Sequence, residues 1–136
     1  MSLSTYLNFQ GDAKQALDFY VSVFGTKPNR VETFGNMPAH PDYSLPEGTA
    51  DLIAYAEIEV MGGKFMLSDV FPDMPYAKGN SSSILIQHEN PEILKDIFGK
   101  LSDGAAINME LQETFWSKCY GSLTDKFGVG WQVSAV

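Results

Sequence analysis

Between Ala13 and Phe24 the apolar residues Ala13, Ala16, Leu17, Tyr20, Val21 and Phe24 recur at the spacing that lines one face of an α-helix. Asp12 stands at the N-cap with Gln15 in the capping-box position, and Gly25 follows where a left-handed residue closes a helix. A short strand, Tyr6–Phe9, precedes this helix. Later the plan recurs in SSILIQHENPEILKDIFGKLSDG, as a β-branched and aliphatic strand followed by Asn90 as cap and Pro91 at the first helical position. Ile93, Leu94, Ile97, Phe98 and Leu101 form the apolar stripe before Gly104. An offset of about 77 residues places Ala16 on Ile93, Leu17 on Leu94, Tyr20 on Ile97 and Gln10 on Gln87, a weak internal repeat.

The segments downstream of the two helices repeat as well. The first helix leads into Arg30–Phe34, a loop with Pro38, Pro41 and Pro46, the alternating run DLIAYAEIEV, a Gly62-Gly63 turn and KFMLSD; the second leads into AINMELQETFW, a break centred on Gly121, the turn region SLTDKFGVG, and WQVSAV. Each half reads as strand, helix and about three strands, which predicts an α+β domain rather than an alternating doubly wound one. In DLIAYAEIEV, alternation sets Leu52, Ala54, Ala56, Ile58 and Val60 on a helix-packing face, and Ile53, Tyr55, Glu57 and Glu59 on the other. Glu59, near the turn, reads as a solvent residue; Glu57 can face either a ligand or water. In AINMELQETFW, Ile107, Met109 and Leu111 alternate with Asn108, Glu110 and Gln112, and continuing the first row places an acid, Glu113, on the apolar side. Either a bulge turns Glu113 outward, or it enters the interior and becomes a candidate general base.

Composition narrows the function classes. At 136 residues with one cysteine, Cys119, the chain fits one domain with no internal disulfide and no Cys/His zinc pattern, and reads as cytoplasmic. Nine basic residues against seventeen acidic give a net charge of −8, which disfavours nucleic acid and anionic membranes as partners. The start MSLSTYLNF has no signal-peptide pattern, and no apolar run is long enough to span a bilayer. Neither helix opens on a glycine-rich phosphate loop, which argues against nucleotide chemistry.

The segments YLNFQGDAKQALDFYVSVFG, AEIEVMGGKFMLSD and LQETFWSKCYGSLTDKFGVGWQV, in that order and over nearly the whole length, resemble the PhnB-like branch of the vicinal oxygen chelate superfamily. That superfamily also holds glyoxalase I, extradiol dioxygenases, and the fosfomycin and bleomycin resistance proteins. The resemblance implies two tandem βαβββ modules, about residues 1–75 and about 80–136 of a single domain, forming an incomplete eight-stranded barrel-like sheet around a ligand cavity, usually in a homodimer. Metal-dependent members hold a divalent ion with His, Gln or Glu. Carried over residue by residue, those positions fall on Thr5, Ser82, Tyr55 and Gln132, with Asp69 the nearest acid for the remaining one. Gln132 alone among the four is a metal ligand of the family's kind, so the standard metal site is expected to be missing, with an unusual divalent site left open. Relatives sometimes carry a demethylubiquinone methyltransferase label, but a methyl donor needs its own glycine-rich site.

His40, between Pro38 and Pro41, reads as a solvated loop residue and His88 as a surface or capping residue. Asp125 reads as a turn residue and Trp131 as core. Cys119, next to Lys118, has no histidine at a recognisable spacing and is not expected to be a nucleophile. Tyr55, Glu57, Glu113, Trp116, Tyr120 and Gln132 are the expected ligand-cavity residues, with Glu113 the candidate catalytic acid or base. The expected function is binding of a small organic molecule without a cofactor. The alternative is a glyoxalase-like lyase, isomerase or dioxygenase that depends on a metal or on acid/base chemistry, and a third reading makes dimerisation the role.

Overall fold

The computed structural model describes residues 1–38, 42 and 44–136, so His40 and Pro41 lie outside the described residues. Two units, Met1–Tyr76 and Ala77–Val136, are each described by themselves. The first contains β1 (Thr5–Phe9), α1 (Ala13–Phe24), β2 (Pro28–Thr33), a single 3-10 turn (Phe34–Asn36), β3 (Ile53–Val60) and β4 (Gly63–Asp69). The second contains β5 (Ile84–His88), α2 (Pro91–Leu101), β6 (Ala106–Gln112), β7 (Tyr120–Thr124) and β8 (Gly130–Ala135). Among the described residues the strands form two four-stranded sheets of order β1-β4-β3-β2 and β5-β8-β7-β6. In each, the first and last strands of the unit run parallel and the other neighbours antiparallel. This is the βαβββ plan twice, α+β as expected, and the sheets do not close into a barrel.

Each sheet buries one face against its helix. Helix α1 packs on β3 and β4, and α2 on β5 and β8. Phe9, Leu17, Tyr20, Ala56, Ile58, Phe65 and Leu67 are buried in the first unit; Ile86, Leu94, Ile97, Phe98, Leu101, Leu123, Trp131 and Val133 in the second. The rings of Tyr20 and Phe65 meet edge to face at 5.3 Å. Removing side chains of this size from water is the main favourable contribution to each unit's stability.

Several local expectations shift. In α1, Val23 is buried while Val21 and Phe24 are half-buried, and in α2 Ile93 is exposed. Ile53, expected on the polar side of β3, is buried because the β2–β3 register shifts beside it, between Glu32 and Thr33. The β3–β4 hairpin turns on Met61 and Gly62, both at positive φ (51° and 78°), with Gly63 already paired to Val60 in β4. Gly121 is not a break but a buried residue of β7, where a Cβ would come within 2.8 Å of the Phe98 ring.

Register also corrects the internal alignment. Leu7 pairs with Leu67 and Ile86 with Val133; Ala56 faces Leu67 as Gly121 faces Val133. Leu7 therefore corresponds to Ile86, and Thr5 to Ile84 rather than to Ser82. The connection from strand to helix is shorter in the second unit, so the offset that aligns the helices slips by two residues in the strands.

Candidate functional site

The faces of the two sheets that carry no helix hold the polar side chains. In the first unit Tyr55 and Glu57, two apart on β3, project to one side, and Tyr55 Oη donates to Glu57 Oε2 at 2.7 Å. Lys64 lies 3.4 Å from the same carboxylate. The hydrogen bond from Tyr55, helped by Lys64, holds the Glu57 carboxyl below the usual glutamate range, against a smaller opposing effect of burial. The same bond, with burial and the Glu57 charge, pushes the Tyr55 phenol upward. Glu57 is thus a fixed anion and Tyr55 a fixed donor, which suits orienting a ligand better than taking up a proton near neutral pH. On the strand across from β3, Arg30 stacks its guanidinium 5.4 Å from the Tyr55 ring centre. From β1, Tyr6 lies 6.4 Å from the same ring and donates to Ser68 Oγ at 2.8 Å.

The corresponding face of the second unit is uncharged along its centre. Tyr120, which register equates with Tyr55, donates to Gln132 Oε1 at 2.6 Å, and Gln132 Nε2 donates to Ser83 Oγ at 2.6 Å. The Trp116 ring meets Tyr120 edge to face at 5.3 Å, and Phe115 meets Trp116 at 4.7 Å with the planes 82° apart. Trp116 is 52% exposed and Phe115 97% exposed. The loop carrying them is nevertheless tied down: Thr114 N–H donates to the Ser117 carbonyl at 2.9 Å, and the buried Ser117 hydroxyl bonds the carbonyls of Cys119 and Ala135.

Glu113 lies beyond the end of β6 and is exposed. The β6–β7 pairing shifts register between Ile107 and Met109 and again before Gln112, so of the two alternatives the irregular strand turns the acid outward. The buried setting that would have made Glu113 a general base is not formed. Cys119 is buried, as is Trp131, whose Nε1 donates to Asp125 Oδ2 at 2.8 Å. Asp125 also accepts from the Phe127 and Val129 amides, which fixes its turn. His88 acts at the start of α2, where its Nδ1 accepts from the Asn90 amide at 2.9 Å.

The candidate metal positions are divided between the units, Thr5, Tyr55 and Asp69 in the first and Ser82 and Gln132 in the second. Thr5 shares the helix-facing side of β1 with Leu7 and the buried Phe9, and Ser82 precedes β5. Asp69 is buried, but its oxygens accept from three backbone amides, Gly11 (2.8 Å), Ala13 (3.0 Å) and Ile53 (2.9 Å). Among the described residues no group of three His, Cys, Asp or Glu side chains is placed to hold an ion. The Asp69 carboxylate is thus engaged by backbone amides, and the Gln132 amide by Tyr120 and Ser83.

Of the expected cavity residues, Tyr55 and Glu57 are brought together in the first unit and Trp116, Tyr120 and Gln132 in the second, while Tyr6, Arg30, Ser68 and Ser83, which join them, were not singled out in the sequence. The two-residue period of β1 could have singled out Tyr6 and Asn8 as partners on the face opposite Phe9. Arg30 becomes visible only through the β2–β3 register.

A family model described as 3-demethylubiquinone-9 3-methyltransferase matches residues 1–134. Protein YjdN of Escherichia coli (strain K12) is 33% identical over 144 residues, spanning 100% of this chain and 96% of its own. A Bacillus cereus structure described as a putative 3-demethylubiquinone-9 3-methyltransferase, PhnB protein, superposes with a TM-score of 0.80 at 26% identity, covering 100% of both chains. The fosfomycin resistance protein FosX of Listeria monocytogenes, at 9% identity, shares the fold alone, with a TM-score of 0.66 over 98% of this chain and 91% of its own. Two βαβββ units in tandem, a match over nearly all the chain and these relatives agree: the chain belongs to the PhnB-like family described as 3-demethylubiquinone-9 3-methyltransferase.

Proposed function

We propose that this protein binds a small organic molecule on the helix-free faces of its sheets, without a resident divalent metal, as a cytoplasmic homodimer. One observation carries the reading: on each face a tyrosine at the equivalent position is locked by a hydrogen bond to a polar neighbour, Tyr55 to Glu57 and Tyr120 to Gln132. Neither core needs these groups, and partners that fix a polar side chain at a surface are what a preorganised binding site requires. The alternative of a lyase, isomerase or dioxygenase finds less support. Glu57 is held ionised, Glu113 is exposed, and Asp69 and Gln132 are engaged by other groups. The methyl transfer named in the family description requires a donor site, and here α1 follows Gln10-Gly11-Asp12 and α2 follows Glu89-Asn90, neither a glycine-rich loop.

The test is native mass spectrometry with metal analysis on freshly purified protein, repeated on Tyr55→Phe and Tyr120→Phe. The expected result is a retained small organic molecule in wild type that both variants release, and no stoichiometric metal. A stoichiometric divalent ion lost on Glu57→Gln or Gln132→Ala would overturn the reading. A monomeric mass in light scattering would remove the dimer.

A further inference from the structure

Phe115 has the exposure of a residue in an unfolded chain, at 97%, yet its loop is held by hydrogen bonds of its own and to the last strand. Thr114 and Ser117 close the turn reciprocally, since the Ser117 amide donates to Thr114 Oγ1 at 3.2 Å while the Thr114 amide donates to the Ser117 carbonyl. Ser117, 6% exposed, anchors the loop to the last strand through the Ala135 carbonyl at 3.0 Å. Apart from its contact with Trp116, the Phe115 ring is left in water on a fixed loop, a position that asks for a partner from solution.

The three rings of this stretch are linked through Trp116, which meets Phe115 and Tyr120 in turn. Phe115 and Tyr120 both stand steeply to Trp116, at 82° and 72°, and the exposed Phe115 and Trp116 rings are open to a flat group from solution. Aromatic walls set at such angles, with electron-rich faces, attract cations. The charge around them agrees. The exposed acids Glu110 and Glu113 precede the loop and the exposed base Lys118 follows it, and the chain as a whole carries −8. Such a field draws cations and repels anions.

Building on the binding function above, we propose that Phe115, Trp116 and Tyr120 form a stacking site for a planar aromatic cation, with Glu113 supplying a nearby negative charge. Phe115 is the residue that the core does not explain, and Glu113 acts here as a charge at the rim rather than as a base.

N-methylacridinium serves as the probe, with uncharged acridine at alkaline pH as its isostere and an acridine carboxylate as the anionic analogue. Binding is followed by probe anisotropy and by Trp116 emission, with the buried Trp131 as the insensitive background. Wild type is expected to prefer the cation, and the preference to shrink as salt is added. Phe115→Ala is expected to weaken the cation about three-fold and the Phe115→Ala/Trp116→Ala double variant about ten-fold. Glu113→Gln should weaken the cation and leave neutral acridine unchanged. Because Phe115 and Glu113 are exposed, both variants are expected to fold as wild type does, which circular dichroism checks. Equal affinity for cation and neutral probe would overturn the cation assignment while leaving the binding function standing. Unchanged affinity in Phe115→Ala would overturn the stacking site. Concentration-dependent shielding of Trp116 with a doubled mass, abolished by Phe115→Ala, would show that a second copy of the chain covers the rings, and would overturn it too.

Discussion

The two units share one topology and secure it by different means, most visibly where each helix begins. In the second unit the start of α2 is a local matter: Asn90 accepts from the Glu92 amide at 3.0 Å, Pro91 occupies the first helical position, and His88 accepts from the Asn90 amide. In the first, Asp12 occupies the N-cap position, but its side chain makes no capping bond. Asp69, at the far end of β4, takes over by accepting from Gly11 and Ala13 with one oxygen and from Ile53 with the other. The longer strand–helix connection of the first unit, with Gly11 at φ 95°, carries the amides away from Asp12 and towards Asp69. Register places Ala135 where the first unit has Asp69, so a local cap in one copy stands opposite a tertiary one in the other. The difference teaches that a helix-start pattern in sequence announces the helix and not the group that caps it.

The strongest way to break this comparison is Asp69→Ala. It removes the acceptor of three amides, two of them in buried bonds, from the helix start and from β3 at once. The expected cost is about 3 kcal/mol or more, since each buried donor left unpaired carries its own desolvation penalty. Asn90→Ala, its counterpart at an exposed cap, is expected to cost about 1 kcal/mol. Urea denaturation of the two variants checks the ordering, and equal costs would mean that Asp69 is no more than an ordinary cap.

A second contrast lies in the core. Gly121 and Ala56 occupy equivalent strand positions, while the helix residues aligned by the repeat are Phe98 and Val21. Volume has moved from strand to helix in the second unit, and only glycine fits beneath the Phe98 ring. Gly121→Ala is expected to destabilise by about 1–3 kcal/mol through overpacking. Adding Phe98→Leu should recover part of that loss, because the ring is what the new methyl group meets. Thermal unfolding of the single and double variants decides, and a double variant no more stable than Gly121→Ala would locate the strain elsewhere.

These cases mark what was legible in the sequence. Period and punctuation disclosed both helices and most of the strands after them, because those signals are local, but not β7, where Gly121 read as a break. The repeat aligned the helices correctly, through Leu17 with Leu94 and Tyr20 with Ile97, all buried. It misplaced the strands by two residues, since a shortened connection leaves no mark in a helical pattern. For the candidate site, Tyr55 and Glu57 were legible as polar positions on an alternating strand, whereas Gln132 entered through the family resemblance and Tyr120 as one of a run of aromatic residues. The orientation of Glu113 was not, because it hangs on register shifts in an exposed edge strand whose residues give no alternating burial. The exposure of Phe115 and Trp116 was not legible either. Aromatic residues are usually core, and only the tethering of their loop by Ser117 holds them out in solvent.

The helix-free faces supply the subtlest contrast, one charged and one neutral, and titration sharpens it. Glu57 is held low in the folded protein, chiefly by the bond from Tyr55 and next by Lys64. A carboxyl depressed on folding contributes stability that is present above its unfolded pKa and is lost as pH falls through the folded value. Stability in the first unit should therefore carry an acid-side component that Tyr55→Phe reduces, with Lys64→Met reducing it less. Carboxyl NMR of Glu57 should show its pKa rising in both variants, further in Tyr55→Phe. The equivalent change in the second unit, Tyr120→Phe, removes a bond to an amide that does not titrate, and should leave the acid limb of the stability profile unmoved. Were Tyr120→Phe to shift that limb as much as Tyr55→Phe does, the electrostatic difference between the faces would not lie in the Tyr55–Glu57 pair.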